Sequence, residues 1–205
     1  TLRLTTGTIS SGTVYVMASG LLHLDAMSDF TLNNVLAGVG PVRKTGLSKV
    51  TLSGANANAG SLLLEAGTLT LGNASALGSA TLTIYNGATL DASSALTLTG
   101  TGSQIWGGNF TFLGTASLNM GAGAVTLTAT PTISVNAGSL TVGGPITGAY
   151  GLTKAGLGTL VLSGVNAYTG ATTVSAGTLV LDGSNALPAG SSLYLGSGAM
   201  VILQN

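Results

Sequence analysis

Residues 151–181 read GLTKAGLGTLVLSGVNAYTGATTVSAGTLVL, a run of short apolar alternations each closed by glycine. Leu160 and Leu162 flank Val161, Leu179 and Leu181 flank Val180, and Gly158, Gly164, Gly170 and Gly177 punctuate the runs. The period is two residues, that of a strand whose successive side chains point to opposite faces, and not the period of about 3.6 that marks a helix. Leucines two apart therefore share one buried face. The unit this predicts is a short strand followed by a turn.

The same habit runs outward in both directions, from Leu2/Leu4 and Val14/Val16 through Leu96/Leu98 to Leu193/Leu195, with glycine, asparagine or serine between the pairs. Short strands at this spacing suit a sandwich or barrel as well as a solenoid, so internal repetition decides. Sliding the chain by 110 residues puts Lys44 on Lys154, Gly46 on Gly156, Leu52 on Leu162, Asn56 on Asn166 and Gly67 on Gly177. Over residues 42–71 fourteen of thirty positions are identical. Units that each bury too little alone and must stack on their neighbours are the mark of a solenoid. The expectation is an all-β fold, a parallel β-helix (β-solenoid) of about nine to ten coils. With strands about 4.8 Å apart along the stack, the rod would be roughly 45 Å long. It forms one domain, residues 1–205, with repeat halves of about 1–94 and 95–205. The second half is expected to carry an extra coil near 103–118.

Read as G-x-L-T-K-x-G-x-G-T-L-x-L-S-G-x-N-x-Y-T-G-x-T-T-V-x-x-G-T-L, the opening stretch resembles the autotransporter-associated β-strand repeat, found in the passenger regions of secreted bacterial autotransporters. The resemblance implies a right-handed β-helix displayed on the bacterial cell surface or released from it. It brings no catalytic residues to carry over. In strong form it covers about a sixth of the chain.

Composition removes several classes of function. Five basic and five acidic residues cancel, so no field gathers nucleic acid, and no basic stripe is visible. Mean hydropathy is +0.58, yet no apolar run approaches the roughly 20 residues of a spanning helix. Strands of four to six residues with 4% aromatics do not suit a transmembrane barrel either. Membrane insertion of this segment is not expected. With no cysteine there is no disulfide scaffold.

No catalytic, cofactor or metal site is expected. The lone histidine, His23, sits two residues before Asp25, so the two share a strand face, but serines are too plentiful to single out a nucleophile. Asp25, Asp29, Glu65, Asp91 and Asp182 are scattered over different coils, and neither Gly107-Gly108 nor Gly143-Gly144 opens a calcium-binding repeat. Lys44 and Lys154, at equal places in the two copies, are expected to lay their stems over a coil corner and keep their ammonium groups in water. Asn56 and Asn166 are expected to bond the backbone of a turn.

Candidate partner-binding residues are aromatic. Trp106, followed by two glycines, is read as exposed in a turn, while the neighbouring Phe110 and Phe112 suit either the core of the extra coil or the same binding patch. Tyr15 and Tyr194, each between apolar neighbours, should face outward. The chain opens on Thr1-Leu2-Arg3-Leu4 and runs to Met200-Val201-Ile202-Leu203 without polar capping coils. Thr1, Leu2, Leu4, Val201 and Leu203 are therefore candidates for end-to-end assembly. The partner would be another copy head-to-tail, with Thr1 stacked on the Asn205 end, or further coils of a longer parent. The leading function is a structural extracellular rod or filament. The alternatives are an adhesin segment that binds a host protein or surface glycan, and an ice- or crystal-binding solenoid built on the outward pairs Thr68/Thr70, Thr81/Thr83, Thr97/Thr99 and Thr126/Thr128.

Overall fold

The computed structural model describes residues 1–6, 9, 12–100 and 102–204. Among them lie 27 strands and no helix, and every ladder is parallel. The chain winds as a β-solenoid of about nine turns. One face is a 9-stranded sheet that starts at Leu2–Leu4 and ends at Ala167–Tyr168, and a second 9-stranded sheet runs from Phe30–Leu32 to Leu193–Leu195. The third face is divided. A 3-stranded sheet (Thr13–Val16, Val35–Gly38, Ala57–Asn58) gives way to a 6-stranded one from Leu96–Thr97 to Met200–Gln204.

Register shows how the sequence period becomes a stack. On the first face Leu2 pairs with Leu22, Leu22 with Val42, Val42 with Leu62 and Leu62 with Leu82, a step of 20 residues. Leu82 then pairs with Gln104, a step of 22, and Gln104 with Val125, a step of 21. From Leu22 on these residues are buried in an inward column of Leu and Val that takes in one glutamine, Gln104. The residues between them line the outside with threonine, serine and a few charges. A parallel ladder satisfies the backbone of each coil only through its neighbours, so a coil is stable as part of the stack and not alone.

Glycine sets the corners. Gly46 and Gly156 have φ of 73° and 74°. An added Cβ would lie 2.3 Å from a carbonyl oxygen of the preceding coil, that of Ala26 or of Val135. Both conformation and space therefore demand glycine there.

The internal duplication does not span a whole number of turns. From Lys44, five coils along the first face lead through Leu64, Ile84, Trp106 and Leu127 to Gly148, 104 residues on. Lys154 falls on the next strand, Leu152–Ala155, which belongs to the second face. Each copy is thus a run of five strands whose local structure is kept while its face changes. Residues 104–119 form one coil of three strands, Gln104–Trp106, Phe110–Phe112 and Leu118–Asn119, paired to coils on both sides.

Both lysines differ from expectation. Lys44 pairs with Leu24 and Leu64 in an inward column, and Lys154 with Ile133 and Val174; each has no exposed surface. Lys44 Nζ donates to the carbonyls of Thr45 (2.8 Å), Gly46 (2.8 Å) and Ala66 (3.0 Å). Lys154 Nζ repeats this with Ala155 (2.8 Å), Gly156 (2.8 Å) and Ala176 (3.1 Å). The glycine turn aims peptide carbonyls into the corner, and three of them match the three N–H donors of an ammonium. Asn56 and Asn166 do bond backbone, but across coils. Asn56 accepts from Leu36 N (2.7 Å) and donates to Ala76 O (2.6 Å), and Asn166 does the same with Ile146 N (2.8 Å) and Ala186 O (2.6 Å).

Candidate functional site

The alternation that sends Leu22 and Leu24 inward sends His23 and Asp25 outward, and the ladder lines them up with their neighbours. Arg3, His23 and Arg43 are adjacent in one outward column, and Asp25 and Thr45 in the next. Arg3 Nε donates to Asp25 Oδ2 at 2.9 Å with Nη2 on the same oxygen, while Thr45 Oγ1 donates to Asp25 Oδ1 at 2.8 Å. The Arg3 guanidinium, then the Thr45 hydroxyl, hold the Asp25 carboxyl below its ordinary value. Arg43 grips Glu65 through two bonds, at 2.7 Å and 2.6 Å, and the Glu65 carboxylate raises the guanidinium further. Tyr85, 42% exposed, stands one coil beyond Glu65.

His23 Nε2 lies 2.7 Å from Thr45 Oγ1. Because a carboxylate only accepts, the single Thr45 hydroxyl proton goes to Asp25, and His23 must donate to Thr45. His23 and Asp25 therefore share a face as expected, joined through the Thr45 hydroxyl. Among the described residues no three His, Cys, Asp or Glu side chains stand together as metal ligands.

This face, with the Asp29–Lys49 pair (3.6 Å) beside it, carries most of the ionic surface. Beyond residue 65 the charged residues are Asp91 and Lys154, both buried, and Asp182. The outside of the later coils is threonine, serine and apolar side chains. The four threonine pairs do not make one array. Thr81/Thr83 and Thr126 lie on the first face, Thr68/Thr70 on the second with Thr70 buried, and Thr97 on the third.

Trp106 corrects its expectation. It ends strand Gln104–Trp106 in the inward column between Ile84 and Leu127 and has no exposed surface. Its indole Nε1 donates to Gln104 Oε1 at 3.2 Å, and Phe110 meets it edge-on with centroids 5.2 Å apart. The two glycines begin the corner only after the tryptophan has turned in, and a buried glutamine on the same strand face satisfies its N–H. Tyr15 (69% exposed) and Tyr194 (59%) face outward. At the ends, Leu2 is 47% exposed and Leu203 75%, Thr1 is exposed, and Leu4 and Val201 are half-buried. Leu2, Val14, Tyr15 and Met17 line a concavity of about 210 Å³ at the first coil. Asn205 lies outside the described residues. The inward lysines escaped the sequence reading although their signal was present: Lys44 follows Val42, and Lys154 follows Leu152, by the two residues that keep a side chain on the buried face.

Residues 42–73 and 152–181, the five-strand units with a buried lysine and a bridging asparagine, match the Passenger-associated-transport-repeat family. The chain carries two autotransporter passenger repeats. Across a longer span it is similar to the adhesin BmaC autotransporter of Brucella suis biovar 1 (strain 1330), 29% identical over 203 residues. That match takes in 95% of this chain and 6% of the relative. No solved structure matches the chain significantly. The passenger repeats and the adhesin relative place the chain outside the cell, at the surface or released from it. Among the described residues no helix is long and apolar enough to cross a membrane.

Proposed function

We propose that this chain is a stretch of an adhesin-like passenger shaft that works by extent and contact, without turnover, and engages a host-surface protein or glycan. The observation that carries this reading is that the two passenger repeats lie within one uninterrupted nine-turn stack, while similarity to an autotransporter adhesin runs over nearly the whole of it. The test is attachment of beads coated with the 205-residue chain to cultured epithelial cells. Attachment that the soluble chain competes away is expected. Beads that attach no better than uncoated ones would leave the shaft as a spacer with no adhesive role.

A second reading, a structural rod or head-to-tail filament, is supported by the parallel ladders, in which each coil is completed only by the coils it stacks on. Light scattering with electron microscopy tests it. Multiples of 19.8 kDa in line are expected, and a monodisperse single copy would remove the filament.

A further inference from the structure

Beneath the Arg3–Asp25 and Arg43–Glu65 pairs lies a pattern that neither the passenger repeats nor the adhesin relative assigns. Two rails run side by side along the rod axis on the first face. One presents the guanidinium donors of Arg3 and Arg43, with His23 between them; the other presents acceptors at Asp25 and Glu65, with Thr45 between them, and ends on the exposed ring of Tyr85. The two ionic rungs lie two coils apart, roughly 9.6 Å, a spacing set by the backbone ladder. Each guanidinium is already tied to a carboxylate, which fixes its orientation before any ligand arrives. Because the pairs cancel, the face has no net field to draw in a polyanion or a polycation.

Resting on the adhesin reading above, we propose that this double rail is a binding site for an uncharged, hydroxyl-rich saccharide lying along the rod axis. A hydroxyl both donates and accepts, so a chain of hydroxyls can give protons to the carboxylate rail and take them from the guanidinium rail. A sugar ring offers an apolar face as well, and Tyr85 supplies the flat partner for it at the end of the acceptor rail. A sulfated or sialylated glycan is disfavoured, because both guanidiniums are already tied to carboxylates and the cancelled face offers its charge no net attraction. The later coils, with threonine columns and almost no ionic groups, lack this pairing of donors with acceptors.

The test uses the whole 205-residue chain on a printed array of neutral mammalian oligosaccharides, with sialylated and sulfated ones as charged comparators. Neutral saccharides are expected to bind, with little change as salt rises and screens charge–charge contacts. Tyr85→Ala and Glu65→Gln should each weaken that binding about tenfold, the size of one lost contact. Thr141→Ala on the third face should leave it unchanged. Glu65→Gln keeps the shape of the side chain and serves if Tyr85→Ala fails to fold, as read by thermal melting. Binding that ignores both variants would overturn the inference, as would binding confined to charged glycans. A blank array while coated beads still attach to cells would also overturn it, leaving the adhesin reading in place with a protein as its partner.

Discussion

Replacing the buried lysines with methionine tests how the two repeats hold their corners. Lys44 and Lys154 have no exposed surface, and three carbonyls within 3.1 Å receive each ammonium. Among the described residues no carboxylate forms a salt bridge with either. Burial pulls both groups from 10.5 down to about 8. Between those values the unfolded chain keeps a proton that the folded chain has released, so stability rises with pH across that window. The rise must be discounted, because the carbonyls favour the charged form and water screens part of the effect. About 1 kcal/mol per lysine between pH 8 and pH 9.5 is the expected size. The window stops there because burial raises the Tyr168 phenol, and its titration at higher pH lowers stability.

Lys44→Met with Lys154→Met retains volume and removes the charge, which is favourable. It also strips donors from six enclosed carbonyls, which at about 1 kcal/mol or more each outweighs that gain. Denaturant unfolding at pH 7 should show the double variant less stable by about 2–4 kcal/mol per site, and its stability should stay level between pH 8 and pH 9.5. A double variant that kept the rise of the unaltered chain over that interval would refute the argument, because the titrating group would then lie elsewhere.

Three other substitutions probe the stack. Trp106→Ala empties an inward position and strands Gln104, so thermal unfolding should report a loss of about 3–5 kcal/mol, whereas an exposed turn residue would lose little. Asn166→Ala leaves Ile146 N and Ala186 O unpaired on two coils and should lower stability by about 2–4 kcal/mol in the same assay. Thr70→Val should raise stability by about 1 kcal/mol, since the Thr70 hydroxyl is buried with no partner and the second copy has Val180 at that place.

The sequence by itself determined the strand period, the parallel stack, the repeat and the passenger resemblance. Each of these follows from local pattern: leucines two apart must share a face, and glycine must sit where φ is positive. The shared face of His23 and Asp25 was legible for the same reason. What lies beside what across coils was decided only in three dimensions. The step between rungs ranges from 19 to 23 residues along the stack, and although it holds at 20 across the first coils, the turns of the fold decide which step applies where, so the sequence did not say that Arg43 reaches Glu65 or that Tyr85 follows it on the same face. That drift also turns a 110-residue repeat into five coils and one strand more, placing Lys44 and Lys154 on different faces with the same three-carbonyl cradle. Whether a polar or amphipathic side chain at a strand end turns inward depends on partners supplied by the fold. Lys44 and Lys154 went in because glycine turns aimed carbonyls at them, and Trp106 because Gln104 and Phe110 were there to receive it.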